Sequence, residues 1–314
     1  MQTVVELAER IRAADVVRTA AWPPPGFGQT PARHRRLADF GHLDLSLARI
    51  VEAHADAVAI LAEAGRRPRE GALYGVWASE GPRSRVDAHR QSDGRWRLAG
   101  VKQYCSGAPF VASALVTAHA EGAALLFEVD LAARGVRVER GNWASPAMAD
   151  TATGPVAFED VLVASERLVG GANWYLQRPG FWHGALGPAA CWAGGAAFLV
   201  DAAARLNRAD PHSRAQVGGL KAAAWGLAAA LDQAGREIDD DPEDKSGGAC
   251  ARALMARHLI ERLCTEVLDR FGRATGPQLL AFDEHVARQH MALTLYIRQC
   301  HAERDLETIA TGCS

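Results

Sequence analysis

Two stretches of this 314-residue chain carry residue types that could grip a flat, aromatic, phosphate-bearing cofactor. The first is Trp96-Arg-Leu-Ala-Gly-Val-Lys-Gln-Tyr-Cys-Ser-Gly-Ala108. Two short strands flank Gly100, and a small hydroxyl residue, Ser106, follows an aromatic, Tyr104. The second, Leu73-Tyr-Gly-Val-Trp-Ala-Ser-Glu80, sets Tyr74, Val76 and Trp77 upstream of it. Together they look like facing edges of a small β-barrel. The competing reading is that Trp77 and Tyr104 simply fill the barrel. No P-loop, Rossmann glycine fingerprint, Gly-x-Ser-x-Gly elbow or HExxH occurs.

The rest of the chain must position these stretches. At 48% hydrophobic and 23% charged it reads as a globular protein long enough for two or three domains. A net charge of −2 gives no reason to expect nucleic acid or a membrane surface as partner. The six cysteines match no zinc or disulfide framework and read as reduced thiols of a cytoplasmic protein. Neither a signal peptide nor a membrane span is expected.

Val4, Val5, Leu7, Ala8 and Ile11 fall at near-helical spacing, and Trp22-Pro-Pro-Pro25 stops any helix. Asp44 is an expected N-cap for an amphipathic helix through Leu47, Ile50, Val51, His54, Val58 and Leu61. His54 lies on the apolar stripe and reads as a hydrogen-bonded core histidine. From Gly71 to about Gly170 short Val-, Leu-, Trp- and Phe-rich runs alternate with turn residues, with Ser92-Asp-Gly94 a hairpin signal. Beyond Phe181 helical patterns return: a glycine- and alanine-rich run over 185–206, a stripe from Val217 to Ala234 with Ser213 as candidate N-cap, a helix stopped at Gly272, and a last helix from Glu284 to about Leu306. The acidic run Asp239 to Gly248 reads as a solvated loop. The expected parts are a shortened helical segment over 1–70, a β-barrel over 71–170 and an antiparallel four-helix bundle over 171–314.

Phe158-Glu-Asp-Val-Leu-Val163 followed by Ser165-Glu-Arg-Leu-Val-Gly170 resembles the end of the middle domain in the acyl-CoA dehydrogenase superfamily. Trp96–Ala108 resembles its flavin-facing strand, where Gly-x-Lys precedes an aromatic and then Thr or Ser, and Tyr74-Gly-Val-Trp77 resembles the preceding flavin-contacting strand. The α–β–α order agrees, and the match spans nearly the whole chain from about residue 37. The resemblance implies an α+β fold with FAD between barrel and bundle; FMN, or loss of the flavin, are the alternatives. It sets Tyr74, Val76 and Trp77 on one side of the isoalloxazine, and Tyr104 and Ser106 on the other, where a hydroxyl can tune the flavin. Arg214-Ala-Gln-Val-Gly218 resembles the family's Arg-x-x-Phe-Gly motif, whose arginine reaches the flavin pyrophosphate of a neighbouring subunit. A plain surface arginine is the other reading. A homodimer or homotetramer is therefore implied.

The sequence departs from that pattern in three places. Asp269-Arg-Phe-Gly-Arg273 stands where the family has Gln-Ile-x-Gly-Gly, leaving Arg270 or Arg273 to bind phosphate instead. The N-terminal helical part is short. His301, with Glu303 two residues on, falls near the place of the family's glutamate base. A histidine titrating near neutrality suits a base, or oxygen chemistry as in the monooxygenase branch of the fold; the third reading is a helix cap held by Glu303, Arg304 and Asp305. The expected function is a flavin-dependent oxidoreductase acting on an acyl thioester of CoA or a carrier protein, or on a related small molecule. The alternatives are a monooxygenase fed with reduced flavin, or a homologue without turnover that binds or scaffolds.

Overall fold

The computed structural model describes residues 6–7, 9–11, 15, 22–139 and 141–313. Of the first expected helix, Val4, Val5 and Ala8 lie outside these residues, while Leu7 and Ile11 are buried. The fold is α+β and divides into two compact units. One holds residues 1–24, 53–145 and 149–181; the other holds 25–52, 146–148 and 182–314.

The first unit is built on a mixed sheet of β1 (Tyr74–Trp77), β2 (Arg85–Arg90), β3 (Trp96–Cys105), β4 (Ser113–Ala120), β5 (Ala123–Asp130), β6 (Val136–Val138), β7 (Gly154–Val163) and β8 (Leu168–Val169). Its order is β6-β7-β3-β2-β4-β5-β8, with β1 parallel to β4. Among the described residues the order ends at two very short strands and does not by itself show the β-barrel that the sequence suggested. The Ser92–Gly94 turn forms as expected: Gly94 takes φ +87° and Asp93 accepts the Arg95 N–H at 3.0 Å. The two strands expected around Gly100 are one strand. Gly100 sits at φ +138°, and a Cβ there would lie 2.3 Å from the Arg85 carbonyl oxygen, so only glycine lets β3 continue past β2.

In the second unit lie α1 (Thr30–Leu43), the first half of α2 (Leu45–Glu63), α3 (Leu186–Arg205), α4 (Pro211–Asp240), α5 (Ala249–Thr275), α6 (Glu284–Tyr296) and α7 (Glu303–Thr311). Asp44 caps α2, accepting the Leu47 N–H at 2.8 Å. The glycines of α3 serve close packing. A Cβ on Gly194 would fall 1.9 Å from the Ala38 carbonyl oxygen, and one on Gly41 would fall 2.2 Å from that of Cys191. Thus α1 packs on α3 and α4, and the helical unit is more than a bundle of four C-terminal helices. The run Pro179–Arg205 is long and apolar enough to cross a membrane, but most of it is buried, as in a core helix.

Several local expectations change. The N-cap of α4 is Asp210, not Ser213, because Pro211 takes the first helical position and Asp210 accepts the Ser213 N–H at 2.8 Å. Helix α5 runs past Gly272 and stops at Gly276, φ +64°. The last helix is two: α6 gives way to a 3-10 turn at Ile297–Gln299, and Ala302 at φ +48° starts α7. The acidic connection is knotted rather than merely solvated. Asp239 accepts from the Gly28 and Thr30 amides at 3.1 and 2.9 Å, and Asp241 from Lys245 and Ser246 at 2.8 and 2.9 Å. The cysteines are not all reduced. Cys250 and Cys313 form a disulfide that the 63-residue separation hid, since only the fold brings the end of the chain to the first turn of α5. Cys105, Cys191, Cys264 and Cys300 are free and buried.

Candidate functional site

The chemistry-bearing residues of the sheet unit gather at the end of β3. The β3–β7 register slips between Lys102 and Cys105, which marks a bulge. Tyr104 occupies it at φ +57° and stands 67% exposed. A bulky residue held in left-handed backbone costs about 1–2 kcal/mol, and such positions cluster where a site needs a side chain re-aimed. The next turn is tight: the Ser106 N–H donates to the Tyr104 carbonyl at 3.0 Å, and Gly107 N–H to the Thr151 carbonyl at 2.8 Å.

Two residues on from Tyr104, Ser106 begins a chain of hydroxyls. Thr153 donates to Ser106 Oγ at 2.9 Å, and Thr151 lies 2.8 Å from Thr153. Because Thr153 spends its only proton on Ser106, Thr151 must donate to Thr153. Ser106 then keeps its own proton, for which no acceptor occurs among the described residues. Trp77 is buried, and its indole N–H reaches the Ser106 carbonyl at 3.4 Å. Trp77, Tyr104 and Ser106, read from two separate stretches, thus lie together.

Tyr74 faces the other way. It is fully buried in the core formed with Ile60, Leu61, Leu115 and Leu126, and Val76 packs against the same cluster. Its hydroxyl donates to Glu128 at 2.6 Å and accepts from the Arg69 amide at 2.8 Å. Burial, reinforced by Glu128, pushes this phenol up to about 12. Glu128 is further tied to Arg66 at 2.6 Å and Arg167 at 3.0 Å. His54 is the expected core histidine, its Nδ1 accepting the Tyr74 N–H at 3.2 Å.

Lys102, the lysine of the Gly-x-Lys pattern, is wholly buried. Its ammonium donates to Thr117 at 2.7 Å, to the Ser79 carbonyl at 3.3 Å and to the Glu80 carboxylate. Burial lowers its pKa, and the pairing with Glu80 works against that shift. Three acceptors for three protons make this a satisfied structural ammonium.

In the helical unit Arg214 lines a cavity of about 290 Å³ at the start of α4. Arg208, Ser213 and Lys221 line it too. Arg208 is anchored, donating to the Thr275 carbonyl at 2.6 Å. Arg214 and Lys221 are exposed and meet no carboxylate among the described residues. Asp210 already takes the Ser213 amide, so an anion here would be held by side chains rather than by the helix end. Arg273 is elsewhere, paired with Asp269 at 3.0 Å, and Arg270 is paired with Glu266 at 2.7 Å.

His301 is 66% exposed, and Asp305 lies behind it. Asp305 accepts the His301 backbone N–H at 3.1 Å and approaches Nδ1 to 3.5 Å. Glu303 is exposed in the first turn of α7, where a carboxylate complements the helix dipole. The sequence reading missed Thr151, Thr153, Arg208 and Lys221. Thr151-Ala-Thr-Gly154 is an i, i+2 hydroxyl pair, but nothing in sequence ties it to Ser106.

No protein-family model matches the chain, and a search of curated proteins finds no match. Solved structures do match. FMN-bound dibenzothiophene monooxygenase TdsC of Paenibacillus sp. A11-2 is similar at 19% identity and TM-score 0.78, over 99% of this chain and 96% of that one. Methanesulfinate monooxygenase MsuC of Pseudomonas fluorescens is similar at 18% identity and TM-score 0.77, over 98% and 95%. KijD3, solved with FMN and a dTDP-amino-keto sugar, is similar at 15% identity and TM-score 0.77, over 100% and 95%. The chain shares their fold. It is the acyl-CoA dehydrogenase-type fold that the sequence resembles.

Proposed function

We propose that the protein is a monooxygenase that uses reduced flavin, with FMN as the cofactor, on a small molecule. The observation that carries this is the β3 bulge, where an exposed Tyr104 in left-handed backbone precedes by two residues a Ser106 hydroxyl for whose proton no acceptor occurs among the described residues. The match to FMN-bound structures over nearly the full length supports the flavin. When bound, reduced flavin supplies two electrons to O2, so that one oxygen enters the substrate and the other leaves as water.

In this reading Ser106 donates a hydrogen bond to a flavin acceptor, with Thr151 and Thr153 fixing its direction. Tyr104 offers a ring for stacking, and Trp77 holds the Ser106 backbone. Tyr74 and Val76 support β1 from the core side. Arg214 and Lys221 take the phosphate of a neighbouring copy's flavin, as the family resemblance implies for Arg214, while Arg273 stays with Asp269. His301, with Asp305 behind it, holds or accepts a proton, and Glu303 stabilises the start of α7. The assembly proposed with it is a homo-oligomer. The thioester dehydrogenase is the second reading, resting on the sequence resemblance.

Fluorescence titration with FMN and FAD, followed by oxygen uptake in the presence of NADH and a flavin reductase, tests it. Expected are FMN binding and oxygen consumption, with an oxygenated product from indole or dibenzothiophene as first probes. Absence of binding to either flavin rejects both flavin readings. Anaerobic bleaching of bound flavin by an acyl-CoA would return the reading to a dehydrogenase.

A further inference from the structure

Helix α7, which follows His301, is held on the protein by little besides one covalent bond. Of its nine residues only Asp305 is buried; Thr308 and Ile309 are half-buried and the rest are exposed. The Thr308 and Thr311 hydroxyls donate to the Arg304 and Glu307 carbonyls inside the helix, at 3.0 and 2.9 Å. Asp305 accepts from the His301 N–H at 3.1 Å and from the Cys300 thiol at 3.8 Å. Among the described residues no hydrogen bond or ion pair links α7 to any residue before Cys300. Its far end is tied to α5 by the Cys250–Cys313 disulfide.

Such a helix does not hold itself. Helices shorter than about 12–15 residues are marginal in water, and packing normally supports them. Here Leu306 is 40% exposed and Ile309 only half-buried. The start of α7 adds strain: Ala302 takes φ +48° and ψ −109°, a conformation that persists only while its surroundings enforce it. Opening the disulfide therefore frees α7 to fray and draws Asp305 away from His301 and Cys300.

The disulfide is also placed where it can exchange. Cys250 is the second residue of α5, a 27-residue helix, and a helix N-terminus stabilises a thiolate. That makes the Cys250 sulfur the better leaving group. Cys313 is half-buried next to the exposed Gly312, whereas Cys250 is buried, so an incoming thiolate meets Cys313 first. The free thiols of Cys105, Cys191, Cys264 and Cys300 are all raised by burial, which keeps them unreactive.

We propose that Cys250–Cys313 is a reversible thiol–disulfide site, opened by a dithiol reductant and closed by hydrogen peroxide, that decides whether α7 stays docked behind His301. In opening, a thiolate of the dithiol attacks the Cys313 sulfur and Cys250 leaves as the thiolate. The second sulfur of the dithiol then displaces Cys313. Two electrons and two protons have passed to the chain, and the reductant ends as a disulfide. In closing, the Cys250 thiolate takes one oxygen from peroxide, giving a sulfenic acid and a hydroxide that picks up a proton to become water. The Cys313 thiol displaces the sulfenic oxygen as a second water. Hydrogen peroxide forms when O2 takes two electrons and no substrate takes its oxygen. The consequence for His301 rests on the monooxygenase reading; the thiol chemistry and the docking of α7 do not.

Hydrogen exchange of the full chain without flavin, read by mass spectrometry over residues 300–313, tests it. Dithiothreitol should speed exchange of the α7 amides by about tenfold or more and make two thiols titratable, with α6 as protected as before. Hydrogen peroxide should restore slow exchange as those two thiols disappear. Cys250→Ser and Cys313→Ser should exchange at the fast rate under either reagent. Equal exchange in the disulfide and dithiol forms overturns the proposal. So does a link that dithiothreitol cannot open, or peroxide cannot close, in the folded chain. Flavin-dependent oxidation should fall by about tenfold in the dithiol form and in Cys313→Ser, and peroxide should rescue only the wild type. Fast α7 exchange with an undiminished rate overturns the control of His301. The exchange measurement needs no flavin, so its failure and a failure of the flavin reading are told apart.

Discussion

The Thr153 hydroxyl donates to the Ser106 hydroxyl at 2.9 Å, and that bond decides where the Ser106 proton can go. With its acceptor side occupied by Thr153, the buried Ser106 hydroxyl keeps a proton for which no acceptor occurs among the described residues. Ser106→Ala should therefore lower the rate of flavin-dependent oxidation by about a hundredfold, the usual loss of one preorganised donor. Thr153→Val leaves Ser106 in place but unfixed and should cost about tenfold. Steady-state kcat measured beside the FMN dissociation constant separates the two effects. Unchanged kcat in Ser106→Ala would remove the hydroxyl from the chemistry.

Phosphate binding at Arg214 is expected to be local to its cavity. A charge-assisted hydrogen bond contributes about 1.5–3 kcal/mol, so Arg214→Ala should raise the FMN dissociation constant by about tenfold to a hundredfold. Arg273→Ala, which only frees Asp269, should leave it within about twofold. Equal effects of both substitutions would place the phosphate elsewhere.

His34 makes stability depend on pH. Its ring is buried, with Nδ1 3.1 Å from the Leu231 carbonyl, and burial pushes its pKa down to about 4. The folded state thus resists a proton that the unfolded chain accepts from about pH 6.5 downward. Stability is full above pH 6.5 and falls as the pH drops to 4, by about 3 kcal/mol in all. Thermal melts across that window should show the loss, and His34→Gln should flatten the slope. A slope identical in the variant would assign the loss to other groups.

The Cys250–Cys313 disulfide closes a loop over a separation of 63 residues that contains α6, α7 and His301. By loop entropy such a link stabilises by about 4 kcal/mol. Cys313→Ser, or a dithiol reductant, should lower Tm by several degrees. A Tm unmoved by reduction, with two extra thiols titrated, would show that the link contributes nothing.

Local patterns were legible where neighbours in sequence decide the outcome. Asp44 caps α2 because the capped amide is three residues away. The Ser92–Gly94 turn and the amphipathic α2 follow from residue type and period alone. Patterns failed where a partner lies far along the chain. Tyr74 looked like part of a cofactor wall until Glu128, fifty-four residues on, claimed its hydroxyl. The disulfide, the split of the last helix at Ala302 and the continuity of β3 past Gly100 are of the same kind.

The sequence by itself determined the α–β–α order, the turn and cap residues, and the two stretches from which Trp77, Tyr104 and Ser106 come. Helical period, strand alternation and glycine conformation are local properties, so they can be read from a string. Tertiary structure alone decided that Thr153 donates to Ser106, that Arg273 is paired with Asp269 while Arg214 lines a cavity, and that Trp225 stands in solvent. Each of these depends on a hydrogen-bond partner or a packing neighbour that the fold, not the sequence spacing, delivers.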